Sequence, residues 1–542
     1  MTATRVVRPR RPHARPIRRA AVASAALLLA GSLTTATPPA AADTPPPPGS
    51  GPEAAPEAAP EAPPAPGVTW GSCPAGAPAT ERCGTIRVPL DHDRPGDPAT
   101  LRIGVSRSPA TGRAAERQGI LVFNFGGPGA AGVGSAASLA RSLPEPVRRA
   151  YDVVGFDLRG RATSSRLDCL DLATFARAPK PDTALTTPAG QKAITEAARV
   201  FAEGCRADSP EMLPYLTTRQ IAEDVDALRE AFGETKINYL GYSYGSYLGA
   251  VYGQLHPDRV RRMLLDSVVD PTKVWYETGF AQARAFRERQ RDWAEWVARH
   301  ETTYRMGKTR SDVLAQWDRA REELAAKPAD GVFGGTEFDL MTIANLYSDR
   351  QWPRLAAAVS AYRVRGDAAP MRDLKGPVTG DDENFESVMQ AVTCADAPAP
   401  DDPAVFAADT VRLKAEHGYL GATVAAAGAC LYLQSNTLPP VTVDGAGLPG
   451  VLLVQGSRDP ATPYAGAVRM RTALPSSRLL TVDGSGNHGQ FVGGGKCVDD
   501  AGAAYLARGE LPARDWSCPA LPPPTPDTRV APGDTRTHPA VP

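Results

Sequence analysis

Aromatic residues make up only 6% of this 542-residue sequence, and there are just seven histidines. No stretch stays apolar for the ~20 residues that span a bilayer; the run from Ala20 to Leu33 falls well short, which argues against a single membrane anchor. No C-x-x-C and no His/Cys pair at ligand spacing occurs, which argues against a zinc site and leaves the chain with no expected metal. Nor is there a basic excess: 60 Lys and Arg balance 60 Asp and Glu. No basic patch stands out, so no nucleic-acid partner is expected.

The first 42 residues read as an export signal. Seven arginines between Arg5 and Arg19 form a basic start, Ala20 to Leu33 supplies the apolar core, and Ala40-Ala41-Ala42 precedes Asp43 as a small-residue cleavage site. Arg18-Arg19 leaves a twin-arginine route open beside the general one. Removing this segment leaves 53 basic residues against 60 acidic, a formal net of −7, as suits a secreted protein without stable membrane association. Residues 43–67 form a Pro/Ala/Glu-rich spacer, and 519–542 a Pro-rich tail expected to be disordered. Eight cysteines in an exported chain predict four disulfides. Eight allow 105 pairings; the spacing suggests four local ones, Cys73–Cys83, Cys169–Cys205, Cys394–Cys430 and Cys497–Cys518.

Between these ends the hydrophobic pattern changes twice. Gly84–Leu90 and Thr100–Ser106 alternate as antiparallel edge strands do. Gly119–Phe125, Asp152–Asp157, Ile237–Leu240 and Met263–Asp266 are continuous apolar runs with helical text between them, the mark of a parallel sheet buried on both faces. From about Thr272 the text is helical only, through Ala281–Arg299, Ser311–Ala326, Phe338–Leu346 and Ala404–Ala415. Strand patterns resume at Gly450–Gly456 and Ser477–Val482. The expected architecture is an α/β core over 68–271 and 437–518, with a helical cap at 272–436 inserted after the sixth strand.

The chemistry centres on Gly241-Tyr-Ser243-Tyr-Gly245, which ends one apolar run and opens a helix-compatible stretch. This is the G-x-S-x-G of a nucleophile elbow: the strand-to-helix turn is so tight that the residues two before and two after the serine must lack bulk. A base and an acid should follow. Six histidines fall in the signal (His13), an early turn (His92), a helix end (His256), the cap (His300, His417) or the tail (His538). His488 remains, in a glycine-rich loop after the last of these strands. Asp459, after the Gly450–Gly456 strand, is the expected acid, with Asp266 as runner-up. The order Ser243, Asp459, His488 is that of α/β-hydrolases. The oxyanion hole is expected from Tyr244 N–H and the Gly126–Gly129 loop, with Gly126 and Gly127 as candidates. Gly127-Pro-Gly129-Ala-Ala-Gly132 also matches the dinucleotide fingerprint, but Pro128 removes an N–H that would face phosphate, and no cofactor is expected.

Gly-Gly-Pro-Gly, Gly-Tyr-Ser-Tyr-Gly, Gly-Ser-Arg-Asp-Pro-Ala-Thr-Pro and Asn-His-Gly together resemble the secreted tripeptidyl aminopeptidases, relatives of proline iminopeptidase with the α/β-hydrolase fold. The likeness runs from about Trp70 to Cys518 and includes Thr217-Thr218, Asp224, Asp226 and the four cysteine pairs. It implies a Ser243–Asp459–His488 triad and release of short peptides, tripeptides by the family's pattern, from peptide or protein substrates with free N-termini. The family's Arg-Gly-x-Gly-x-Ser stands here as Arg159-Gly160-Arg161-Ala162-Thr163-Ser164, with alanine in place of a glycine. A carboxylate of the cap should hold the substrate ammonium. Candidates are Glu277, Asp381, Asp382, Glu383, Glu386 and Asp396, with Asp396 beside Cys394 the first choice. An esterase or lactone hydrolase, or an inactive binding protein on the same fold, are the rival readings.

Overall fold

A computed structural model of the chain describes residues 67–526, apart from 95, 427 and 435–438. The expected signal, nearly all of the spacer and 527–542 of the tail lie outside the described residues.

Ten strands form one sheet: β1 (Thr69–Gly71), β2 (Arg82–Pro89), β3 (Thr100–Ser108), β4 (Ile120–Asn124), β5 (Asp152–Phe156), β6 (Ile237–Tyr242), β7 (Val260–Asp266), β8 (Leu452–Gly456), β9 (Arg478–Asp483) and β10 (Trp516–Pro519). Their order is β1-β2-β3-β5-β4-β6-β7-β8-β9-β10. The first three strands are antiparallel to their neighbours, and every pairing from β5 to β10 is parallel. This is the mostly parallel sheet expected from the run pattern, in the α/β-hydrolase fold that the order Ser243, Asp459, His488 and the family resemblance imply. Short β1 and β10 escape a hydrophobic pattern because three or four residues carry no period. Counting β1, the cap follows the seventh strand.

Successive side chains of a strand point to opposite faces, so each apolar run feeds two cores. Ile120 and Val122 of β4 join Ile221, Val225 and Leu228 of the helix Thr218–Ala231 on one side. Leu121 and Phe123 join Leu139 of Ala136–Ser142 and Leu506 of Lys496–Arg508 on the other. β4, β5 and β8 are buried throughout, which is why their sequences do not alternate.

The scarce aromatics are concentrated where the cap needs its own core. Trp293, Trp296, Trp317, Phe338 and Trp352 pack with Leu355 and Val359, among the helices Tyr276–Arg299, Arg310–Ala326, Gly335–Leu346 and Trp352–Arg365. One helix of the insertion belongs elsewhere. Val388, Ala391, Val392 and Cys394 of Gly380–Asp396 lie in the core beneath the sheet, with Leu167 and Leu216. All four cystines form as paired above. The part of the tail from 519 to 526 is ordered along the molecule, and Trp296 Nε1 donates to the Pro524 carbonyl at 3.0 Å. Among the described residues no helix is long and apolar enough to cross a membrane.

Candidate active site

Ser243 sits between β6 and the helix Tyr244–Leu255 with φ 56° and ψ −126°. A non-glycine residue at positive φ is strained, and such strain gathers at functional turns. The flanking glycines are sterically required: a Cβ on Gly241 would lie 2.2 Å from the Gly245 carbonyl oxygen, and one on Gly245 would lie 2.3 Å from that of Asn124. Ser243 N–H donates to the Asp266 carbonyl at 3.0 Å, fixing the elbow to the next strand.

β8 delivers Asp459 and the loop after β9 delivers His488. The imidazole Nδ1 lies 2.9 Å from Asp459 Oδ2 and 3.1 Å from Oδ1. Asp459 Oδ1 also accepts the N–H groups of Ala461 and Thr462 at 2.9 and 3.1 Å, and Oδ2 accepts the Thr462 hydroxyl at 2.9 Å. The Asp-Pro turn and the contact with histidine are therefore the same carboxylate used twice. Burial alone would lower the His488 pKa, but the charge and hydrogen bond of Asp459, with the charge of Asp266 behind them, outweigh it together, and the net shift is upward from 6.5. The His488 backbone is fixed as well: its N–H donates to Tyr347 O at 2.8 Å, and that of Gly489 to Ser267 Oγ at 2.7 Å.

Asp266, the runner-up acid, has a different place. Its Oδ2 accepts the N–H groups of Gln490 and Phe491 at 2.9 and 2.6 Å, so it anchors the backbone of the histidine loop and makes no bond to the ring. Burial pushes its carboxyl up to about 7.

The glycine loop lies against the nucleophile. A Cβ on Gly126 would fall 2.8 Å from Ser243 Cβ, and its φ of +102° suits glycine alone. Gly126 N–H, however, donates to Asn124 Oδ1 at 2.9 Å, which takes it out of the set of free donors. The N–H groups of Gly127 and Tyr244 have no hydrogen-bond partner among the described residues. Asp157, at the end of β5, is no ribose ligand. Its Oδ1 accepts Gly132 and Val133 N–H and its Oδ2 accepts Thr163 N–H and Oγ1–H, tying the glycine loop to the loop after β5.

Ser243, Tyr244, Gly127 and His488 share the wall of a cavity of about 1380 Å³, enclosed from above by cap residues such as Phe385 and Glu416. Clefts for drug-sized ligands usually hold ~300–1,000 Å³, so there is room for a peptide. The expected ammonium ligands fare unequally. Glu277 lines this cavity, 3.2 Å from Lys273. Asp381 and Asp382 line it too, but Asp381 is held by Arg161 and Asp382 caps its own helix through Thr379. Asp396 does not reach it. Its buried carboxylate accepts Thr218 N–H at 2.5 Å, Thr218 Oγ1–H at 2.6 Å and Trp275 Nε1–H at 3.0 Å, and burial raises it to about 6. Glu386 is buried against Gln390 Nε2 at 2.9 Å, and Glu383 accepts Leu170 N–H and the Ser387 hydroxyl; neither lines the cavity. The helix bearing these three packs against the core, and a polar helix sequence gives no sign of that.

Asn124, Thr462 and Tyr347 hold site atoms without having been singled out from sequence. Asn124 ends β4 and Thr462 lies in the Asp-Pro-Ala-Thr turn, so their neighbours offered a signal; Tyr347 acts through its carbonyl, for which no residue type is diagnostic.

The family described as TAP-like protein matches residues 418–518. A tripeptidyl aminopeptidase of Streptomyces lividans is 40% identical over 470 residues, 83% of this chain and 86% of that one. Serine protease Hip1 of Mycobacterium tuberculosis is 30% identical over 478 residues, covering 83% and 91%. Carboxylesterase B of the same species is 31% identical over 483 residues, covering 84% and 90%. With this likeness extending across core and cap alike, the chain belongs to the tripeptidyl aminopeptidase family of serine peptidases, built on the α/β-hydrolase fold.

Proposed function

We propose that this is a secreted aminopeptidase that releases tripeptides from free N-termini through an acyl-enzyme. Ser243 Oγ attacks the scissile carbonyl while His488 Nε2 takes its proton, then returns that proton to the leaving amine. Water repeats the sequence on the ester and frees the peptide and Ser243. Asp459 holds the proton on Nδ1 and stabilises the imidazolium, and the N–H groups of Gly127 and Tyr244 receive the oxyanion. A cap carboxylate receives the substrate ammonium, with Glu277 the first candidate, since its partner Lys273 is itself exposed, and Glu416, 3.5 Å from His417 and 3.7 Å from Arg412, the second. The observation that carries this reading is the 40% identity to a protein named tripeptidyl aminopeptidase, reaching through the cap that encloses the Ser243 wall.

The carboxylesterase-named relative supports one rival, the same machinery working on esters. Peptides of one to four residues, free or blocked at the N-terminus, and an aryl ester separate the two when tested with wild type and Ser243→Ala. Among these, turnover of the free-amine tetrapeptide alone, with release of its first three residues, is expected; cleavage of only blocked peptides or esters sinks the aminopeptidase. Export is checked by N-terminal sequencing of the protein from culture medium, with a start at Asp43 or later expected.

A further inference from the structure

Arg161 lies in the loop after β5, two residues beyond Arg159, and its guanidinium is almost wholly buried, at 2% exposure. Four of its hydrogen bonds leave in three directions. Nε donates to the Gly129 carbonyl at 2.5 Å, one terminal nitrogen donates to Asp381 Oδ1 at 2.6 Å and Asn384 Oδ1 at 2.7 Å, and the other donates to Asp381 Oδ2 at 2.8 Å. Asp381 and Asn384 belong to the helix Gly380–Asp396, while Gly129 follows by two residues Gly127, which lines the cavity with Ser243 and whose N–H has no partner among the described residues. Asn384 is held in turn: its Nδ2 donates to Gly160 O at 2.9 Å and Leu167 O at 2.7 Å, and its Oδ1 accepts Ala162 N–H at 2.8 Å. A planar fork with fixed donors transmits position in a way a flexible ammonium cannot.

The glycine loop needs such a restraint. Gly126, Gly127 and Gly129 all have positive φ, a region glycine enters without strain; Pro128 and the bond from Ala130 N–H to Gly126 O at 3.0 Å hold the loop from within, which leaves the Gly129 carbonyl to be fixed from outside. Asn124 fixes its first N–H and Asp157 fixes the far end at Gly132 and Val133. Between those points, Gly127 and Gly129 are confined from above by Phe385, whose ring and carbonyl would lie 3.1 and 3.0 Å from added Cβ atoms, and Gly129 is held from the side by Arg161.

We infer that Arg161 is a positioning residue for the reaction: clamped by Asp381 and Asn384 of the inserted helix, it fixes the Gly129 carbonyl and thereby the aim of the Gly127 N–H. The inference rests on the proposed acyl-enzyme with Gly127 as oxyanion donor. It gives the inserted helix a part in the chemistry beyond enclosing substrate.

The test compares Arg161→Gln, Asp381→Asn and Ser243→Ala with wild type in the full-length exported enzyme. It measures kcat and KM on a free-amine tripeptide amide, inhibition by a tripeptide boronic acid whose serine adduct mimics the tetrahedral oxyanion, inhibition by the product tripeptide, and Tm. Displacing a reacting group by ~1 Å can cost about 100-fold, so Arg161→Gln should lower kcat ~10- to 100-fold with KM within ~3-fold. Boronate affinity should fall in parallel and product affinity should not. Asp381→Asn, at a side chain 54% exposed and so tolerant of the change, should show the same split more weakly and serves if Arg161→Gln does not fold. A lower Tm with unchanged kcat and boronate affinity in the folded variants would overturn the positioning role. Loss of boronate and product affinity by equal factors would also overturn it, in favour of plain substrate binding. If Ser243→Ala keeps wild-type rates, the acyl-enzyme itself fails. If Ser243→Ala is inactive while both other variants behave as wild type, only the role of Arg161 fails.

Discussion

Asp459→Asn keeps the shape of the acid and removes one acceptor, and the surrounding bonds dictate which. Oδ1 receives two backbone N–H groups, from Ala461 and Thr462, so the amide oxygen of asparagine must stay there. The amide nitrogen then takes the Oδ2 position, 2.9 Å from His488 Nδ1, where it can only donate. Oδ1, 3.1 Å from Nδ1, is already taken by the two backbone N–H groups, so the new amide donor favours Nδ1 as acceptor, and the imidazole proton moves to Nε2, the nitrogen that has to receive the proton of Ser243. The enzyme is thus locked in the wrong tautomer, a change that costs ~10⁴ in kcat where it has been isolated in a serine protease, or ~5.5 kcal/mol at 1.36 kcal/mol per tenfold. Folding suffers little: Thr462 Oγ1 can turn to accept from the new amide, leaving a net cost of ~1 kcal/mol. The assay is kcat on a free-amine tripeptide amide after titrating competent sites with a fluorophosphonate, with Tm measured alongside. A variant retaining more than about a tenth of wild-type kcat would refute the tautomer argument, and so would one that lost activity only in step with folding.

The His488 pKa is raised above 6.5 and the neutral ring is the working form, so kcat/KM should fall as pH drops through a midpoint above 6.5; a midpoint at or below 6.5 counts against the Asp459 pairing. Glu386→Gln should leave kcat/KM within about twofold, because the residue does not line the cavity. Burial raises Glu386 from 4.5 to about 8, so its folded form holds the proton more tightly; its contribution to stability is full below 4.5 and is lost as pH rises toward about 8. Glu386→Gln should therefore flatten the decline of Tm across that window, and an unchanged slope refutes this. Asp396→Asn should leave one of three buried donors without an acceptor and cost ~1–3 kcal/mol in urea unfolding, with KM for free-amine peptides unchanged. A rise in KM confined to free-amine substrates would return Asp396 to the ammonium site.

The parts of the site that were legible in sequence are those where backbone geometry restricts residue type. Gly241 and Gly245 are forced by contacts of 2.2 and 2.3 Å, and a serine between them at positive φ has few uses other than the elbow. Asp459 and His488 follow because the fold places them after particular strands, and those strands show as buried apolar runs. Substrate-binding carboxylates obey no such restriction. Asp382, Glu383, Glu386 and Asp396 share one helix, and its sequence reads as exposed; burial comes from packing against chain far away, including Cys169, Leu170 and Thr218. The partnership of Arg161 with Asp381 is equally invisible, since each alone is an ordinary surface charge. Gly126 shows the finer limit: its place beside Ser243 follows from the motif, but the loss of its N–H to Asn124 needed coordinates.

The cap enters the chain between two strands that are neighbours in the sheet, Leu264 of β7 pairing with Leu452 of β8. Closing so long a loop is slow, because its entropy must be overcome before the contacts it allows can form. Ser243 lies before that closure and Asp459 and His488 lie after it. A chain emerging N-terminus first therefore carries a finished nucleophile turn with no base to activate it. Hydrolytic competence therefore arrives with the last parallel strands, and a chain stalled before β8 and β9 join the sheet carries Ser243 without the base it needs.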